Sequence, residues 1–370
     1  MIHLYPFNIP FKDTFKTSKG NFEFREGILV SFTHHSHRFF AEISPLPGFS
    51  VSDLESCTNI FSTNASKIDE FLIGILNNHD GDYEIHSILE IVEKTALLTH
   101  KWIKNELPTQ LIPEIQFAID HIIFQILAAR NTSESMIPAD LIIPINANVK
   151  TLMEATNAYK SGIKTVKVKV GMDADHESSL IKNIRDNLPD ISIRLDANGA
   201  WDFKSARSFI EQVQSFDIEY IEQPVSIQEF REYGPRLRNL GIQIAADESA
   251  RSYLDVVTLI DNNSTDILIL KPPMIGNFKN LLNIYELALR SNIPCVFTSS
   301  LDSSINRRFA ALLGFVFGSK KLAHGFGTGS LFKSDITILN DNIQNGNLIV
   351  PISGISVAEI NSRFISKTIC

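Results

Sequence analysis

The chain has 370 residues, too many for one small domain and enough for two domains or one large barrel with an addition. Apolar residues make up 44% and charged residues 21%, which excludes a disordered chain. The formal net charge of −8 argues against nucleic acid or an anionic membrane surface as a partner.

The opening segment "MIHLYPFNIPFKDTF" has no basic start leading into an apolar stretch, and no apolar run approaches the ~20 residues of a membrane span. Cys57, Cys295 and Cys370 are too few and too scattered for a disulfide framework or a CxxC zinc site. A cytoplasmic protein is expected. The stretch "GILVSFTHHSHRFFAEIS" reads as a β-hairpin with a polar "HHSH" tip, since no acid or cysteine is spaced to join the histidines in a metal site. "IHSILEIVEKTALLTHKWIKNEL" and "PEIQFAIDHIIFQILAARN" carry apolar residues at helical spacing, and Pro113 suits the first turn of the second helix. This block, residues 1–135, reads as a separate α+β domain.

From about residue 141 the pattern changes. The candidate strands are "LIIPINANV", "TVKVKV", "ISIRLDA", "IEYIEQP", "IQIAADES", "DILILKP", "IPCVFTSS" and, more weakly, "KKLAHGF". Amphipathic segments such as "ADHESSLIKNIRDNL" and "FKNLLNIYELALRS" lie between most of them. Eight strands at this rhythm predict a parallel β/α barrel over 136–334, rather than an open doubly wound sheet. The last 35 or so residues, about 335–370, leave the rhythm and are expected to return to the first domain.

Strands buried on both faces should be apolar throughout. These are, except near their C-terminal ends, which carry Lys167 and Lys169, Asp196 and Asn198, Glu222, Asp247 and Lys271. From Lys169 onward the single charges are spaced 27, 26, 25 and 24 residues apart, one βα unit per step. Lys167 and Lys169 share a face of their strand, as do Asp196 and Asn198. A lone Asp at a strand end is ordinarily a helix cap or turn residue. That reading does not account for three acids and three lysines at the same end of consecutive units. Three carboxylates brought together raise each other's pKa unless a cation intervenes. Oxygen-only ligands favour Mg²⁺, with Mn²⁺ as a substitute, over zinc.

A metal flanked by lysines suits removal of a proton next to a carboxylate, because both stabilise the enediolate charge as it appears. Neighbouring cations would lower the pKa of Lys169 toward the range useful to a general base. Lys167 would orient that base and bind the substrate carboxylate. Lys271 would act from the opposite side of the rim, as a second acid/base or as a cation facing the anion.

The combination of KxK, "DANGAW", "EQP", "DES" and "KP" on consecutive strands resembles the enolase superfamily, and within it the muconate-lactonizing subgroup. That resemblance implies a modified (β/α)₇β barrel with an α+β capping domain. It implies Asp196, Glu222 and Asp247 as Mg²⁺ ligands, and Lys169 and Lys271 as the catalytic pair with Lys167 in support. "AEISPLPGFS", "SSLDSSI" and "HGFGTGSLFKSDI" resemble the o-succinylbenzoate synthase family of that subgroup, which acts in menaquinone biosynthesis. This implies a lyase acting on a small-molecule carboxylate, with Asn198, Ser299 and Ser300 at the substrate; a homo-oligomer is left open. The dipeptide-epimerase DxD motif is missing from "HGFGTGS", and the His of mandelate-racemase relatives is missing from "FTSS". N-succinylamino acid racemases share the two-lysine arrangement and are the alternative. A barrel that kept the fold without catalysis would be marked by loss of these six residues, and all six are present. "GFGTGS" is read as bounding the substrate pocket, with a phosphate-binding loop and a turn serving only the chain path as alternatives; His324 is read as structural, and "FKTSKGNFEFREG" (15–27), poor in periodicity, as a loop that folds over the barrel mouth.

Overall fold

The computed structural model describes the chain except residues 18–19, 78–84, 86, 107–111, 132–139, 339–340, 352–358, 366–367 and 369–370. Cys370 and the expected boundary near residue 135 therefore lie outside the described residues.

The chain opens with a three-stranded antiparallel meander, β1 (Ile2–Thr17), β2 (Gly20–His34) and β3 (His37–Ile43). The "HHSH" segment is its polar tip: His34 pairs with His37, and His35 takes a left-handed φ of 51°. Most of segment 15–27 is paired strand rather than loop. Phe22 faces Phe15 across β1 and β2, and the register shifts between Pro10 and Phe15. Pro10 contributes no N–H to the ladder, which fits a break in pairing there. Three helices follow, α1 (Leu54–Asn77), α2 (Ile88–Glu106) and α3 (Pro113–Asn131). α3 is apolar nearly all round, with Ile115, Ala118, Ile119, Ile122, Ile123 and Ile126 buried, because it is packed on several sides.

The run "LIIPINANV" is two strands in two sheets, not one. β4 (Asp140–Pro144) alternates exposed and buried residues. β5 (Asn146–Val149) begins the parallel sheet. The units that follow are α4 (Leu152–Lys160), β6 (Thr165–Lys169), α5 (Ala174–Asn187), β7 (Ser192–Asp196), α6 (Phe203–Val213), β8 (Ile218–Glu222) and α7 (Ile227–Leu237). Then come β9 (Ile244–Ala246), α8 (Tyr253–Asp261), β10 (Ile267–Leu270), the single turn α9 (Pro272–Ile275), α10 (Phe278–Arg290), β11 (Cys295–Phe297) and α11 (Ser304–Phe317). Finally β12 (Asn342–Gln344) and β13 (Asn347–Pro351) add antiparallel to β4, in the order β12-β13-β4.

The parallel sheet runs β11-β10-β9-β8-β7-β6-β5. Its ends meet through one short segment. His324 bridges Ile145, with N–H···O bonds of 2.7 Å to Pro144 and 3.0 Å from Asn146. Gly325 bridges Thr298, donating at 2.9 Å to Phe297 O and accepting at 3.1 Å from Ser299. The weak eighth strand is thus a pair of bridges, and the expected (β/α)₇β barrel is closed by them. Alternation divides each strand. Val166, Val168, Leu195, Ile221 and Leu268 join the large core beneath the helices, whereas Tyr220, Ala245, Ile267, Ile269 and Val296 form a separate cluster inside the ring. Ring contacts of Phe117 in α3 with Phe278 of α10 and Phe309 of α11 seat the N-terminal block on the barrel. Among the described residues, no helix is long and apolar enough to cross a membrane.

Candidate active site

Four of the six rim charges lie two residues beyond an inward-facing barrel residue. Asp196 follows Arg194, Glu222 follows Tyr220, Asp247 follows Ala245 and Lys271 follows Ile269. The strand pleat therefore aims all four into the ring. The ordinary reading of strand-end acids as helix caps is answered directly, because the caps are other residues. Asp173, Asp202, Ser226 and Ser252 cap α5, α6, α7 and α8, which leaves Asp196, Glu222 and Asp247 free of that task.

Lys167 Nζ lies 3.0 Å from Asp196 Oδ2 and 3.1 and 3.2 Å from the two Glu222 oxygens. Lys169 is half-exposed; its Nζ is 3.4 Å from Asp196 Oδ2 and donates to Asn198 Oδ1. Lys271 Nζ contacts both Asp247 oxygens. Asp196, Glu222 and Asp247 are all buried. β6 and β10 stand on opposite sides of the ring, so Lys169 and Lys271 enter the rim from opposing walls. Burial opposes ionisation of Asp196, but Lys167 and Lys169 outweigh it and hold this carboxyl well below the usual range. Burial raises Glu222, and Asp196 and Asp247 add to this against Lys167, so its carboxyl is pushed up to about 8. Burial works against the charges on Lys167 and Lys271, yet the facing carboxylates raise both above the ordinary lysine value. Lys167 and Lys271 are thus each paired with acids. Among the described residues, no three acid, histidine or cysteine side chains converge so as to hold a metal ion as they stand. Asp196 and Glu222 share the Lys167 ammonium, whereas Asp247 is drawn to Lys271.

Asn198 adopts a left-handed φ of 44° and stays within the cluster, donating from Nδ2 to Glu248 Oε1 at 3.1 Å. Ser299 and Ser300 are buried at the end of β11 and serve their own turn. Ser299 Oγ accepts from Asp302 N–H at 3.1 Å, and Ser300 N–H donates to Asp302 Oδ2 at 2.8 Å. Among the described residues, no hydrogen bond joins either serine to the rim lysines or to Asp196, Glu222 or Asp247, and the Ser300 hydroxyl has no partner.

The N-terminal block reaches this rim. Arg25 of β2 is buried and donates to Leu301 O at 3.0 Å and Pro45 O at 2.8 Å. Glu42 of β3 accepts from Ser303 N–H at 3.1 Å, Ser303 Oγ at 2.5 Å and Asn306 N–H at 3.3 Å, at the start of α11. Phe22 packs in the same cluster as Leu301, Phe332 and Met274. The glycines of "GFGTGS" allow close approach of chain segments. A Cβ on Gly325 would lie 2.7 Å from Thr298 Cγ2, and one on Gly329 would lie 2.2 Å from Asp341 Oδ2. His324 is structural as expected, its Nδ1 accepting from Phe297 N–H at 3.0 Å. Sequence reasoning passed over Arg25 and Glu42, which bond to Leu301, Ser303 and Asn306 more than two hundred residues away, and Glu248, whose acid was masked by its neighbour Asp247.

Residues 150–358, more than half of the chain, match the family described as Enolase C-terminal domain-like. The chain is 28% identical over 186 residues to an L-amino acid-D/L-Glu epimerase of Sulfurimonas denitrificans, covering 50% of this chain and 54% of that protein. It is 28% identical over 225 residues to an o-succinylbenzoate synthase of Thermobifida fusca, covering 59% of this chain and 68% of that one. The match therefore spans about half the length of the first relative and two thirds of the second. A crystal structure of a dipeptide epimerase from Cytophaga hutchinsonii, complexed with Mg and the dipeptide D-Ala-L-Val, superposes with a TM-score of 0.71 at 23% identity, over 95% of this chain and 92% of that one. With the family match covering its barrel and the fold shared along nearly its whole length, the chain belongs to the enolase superfamily.

Proposed function

We propose that this chain is an o-succinylbenzoate synthase, a carbon–oxygen lyase converting 2-succinyl-6-hydroxy-2,4-cyclohexadiene-1-carboxylate to 2-succinylbenzoate in menaquinone biosynthesis. The observation that carries the proposal is the rim itself: Lys167 and Lys169 on one wall, Lys271 on the opposing wall, and three buried carboxylates between them. Residues 1–135 with 335–370 form the cap in this reading, and 136–334 the catalytic barrel.

The donor set is hard oxygen throughout, which fits Mg²⁺, with Asp196, Glu222 and Asp247 as the residues that would hold it. Bound Mg²⁺ would stabilise negative charge on the substrate carboxylate oxygens. Lys271 Nζ contacts both Asp247 oxygens, which a cation held there would have to share. Lys169, as the amine, takes the proton alpha to the ring carboxylate. The C–O bond to the neighbouring carbon breaks as its electrons leave with hydroxide. Lys169, now the ammonium, returns the same proton to that hydroxide, so water departs and the ring becomes aromatic. Lys167 orients the base, and Lys271 faces the delocalised anion as a cation. Incubation of the purified protein with Mg²⁺ and the cyclohexadiene substrate is expected to give aromatic absorbance. No product under conditions where the protein is folded overturns the proposal.

A second reading is an N-succinylamino acid racemase. Opposed lysines are also the placement needed for proton removal on one face and return on the other, and an epimerase stands among the relatives. Deuterium exchange from solvent into the alpha position of an N-succinylamino acid, without dehydration of the cyclohexadiene, would favour it.

A further inference from the structure

The glutamine of "EQP" has no role in the chemistry above, yet it is among the most constrained polar residues of the rim. Gln223 is 1% exposed and has a left-handed φ of 41°, a backbone state that costs energy for a residue with a side chain. Its main chain is fully used, with N–H donating to Ala245 O at 2.8 Å and its carbonyl accepting from Gly199 N–H at 2.7 Å. Its side chain is fully used as well. Oε1 accepts from Asp247 N–H at 3.2 Å and Ser249 N–H at 3.1 Å, and Nε2 donates to Val225 O at 3.0 Å and Ser249 Oγ at 2.8 Å.

The ladder between β8 and β9 explains the arrangement. Pairing ends at Glu222 and Ala245, so the N–H of Asp247 lies beyond the last backbone rung. The turn at Gln223 carries the main chain of β8 away from β9. A buried N–H left without an acceptor is costly. The Gln223 amide takes the place of the missing peptide group and continues the ladder through a side chain. It thereby fixes the backbone that bears Asp247 relative to the backbone that bears Glu222.

We infer that Gln223 is the positioning residue for Asp247, setting the separation of the Glu222 and Asp247 carboxylates so that both reach one divalent cation. The inference rests on the proposed reading of these acids as metal ligands, and Asp247→Asn tests that reading separately. The probe is Mn²⁺, titrated into the metal-free protein and followed by electron paramagnetic resonance, with no substrate present. Gln223→Met removes the amide at similar size. Gln223→Gly removes it while relieving the left-handed turn, so it separates a need for the bend from a need for the side chain. Both variants are expected to raise the Mn²⁺ Kd by roughly 10–100-fold. Arg238→Ala, which breaks the pair with Asp266 at the far end of the barrel, controls for general destabilisation and should leave the Kd unchanged. If Gln223→Gly binds Mn²⁺ as tightly as the unaltered protein while Asp247→Asn does not, the inference falls and the metal reading stands. If Asp247→Asn leaves the affinity intact, both fall. Equal weakening by Arg238→Ala also overturns the inference. Should neither Gln223 variant fold, Ser249→Ala, which frees the amide from one anchor, is read in the same way.

Discussion

Asp120 sits in α3, fully buried, where its Oδ2 accepts the N–H of Phe278 at 2.6 Å at the start of α10. Burial pushes its carboxyl up to about 7, more than the Thr99 hydroxyl and the Phe278 N–H take back. An acid that holds its proton more tightly in the folded state contributes stability that is complete below its unfolded pKa, near 3.9. That contribution is lost as pH rises through the folded value, so the window runs from about pH 4 to about pH 7. Over the span from about pH 5 to about pH 8, this one group removes about 2.5 kcal/mol. Asp120→Asn keeps an oxygen for the Phe278 N–H and abolishes the ionisation. Urea unfolding of both proteins across that span should show the stability of the unaltered protein, relative to the variant, falling by about that amount. A difference that stays level with pH would refute the reasoning and imply that water or a partner relieves the buried carboxylate.

Lys169→Ala should abolish turnover of the cyclohexadiene substrate while leaving the thermal midpoint nearly unchanged, since the side chain is half-exposed; a near-normal rate would mean the base is another residue. Glu42→Leu should cost about 3–5 kcal/mol in urea unfolding, because the Ser303 and Asn306 N–H groups and two hydroxyls lose their acceptor. Glu42→Gln keeps an acceptor and should cost less than half as much, and equal losses would show that the charge itself matters. Gly329→Ala should destabilise by about 1–3 kcal/mol, since its methyl group falls on Asp341 and on the Arg307 guanidinium that Asp341 holds; an unchanged unfolding midpoint would count against the close packing described here.

Much of the barrel was written locally. In "TVKVKV" the period of two separates a valine face from a lysine face, and the structure buries the valines under the helices. The regular spacing of Asp196, Glu222, Asp247 and Lys271 reports one βα unit per step, and each lands at its strand end. Two readings failed for want of partners. "LIIPINANV" looks continuous, but β4 belongs to a sheet completed by β13, some two hundred residues later. Segment 15–27 lacks a clear period because Phe15 and Phe22 pack in a separate cluster with Leu301, Phe332 and Met274 while Phe24 is exposed. Gly325 and Gly329 of "GFGTGS" are hemmed in by Thr298, Asp341 and Arg307, neighbours that the local sequence does not name.

The sequence by itself determined which faces of the strands and helices would be inside and which charged groups would stand at one end of the strands. These follow from periodicities of two and 3.6 residues, set by backbone geometry within a few residues of each side chain. Only the tertiary structure decided which ammonium meets which carboxylate, how His324 and Gly325 close the ring, and that a side-chain amide extends the ladder beside Asp247. Those outcomes depend on distances of a few ångströms between segments far apart in the chain, and burial makes each unpaired group costly enough that the pairing is settled by the whole fold.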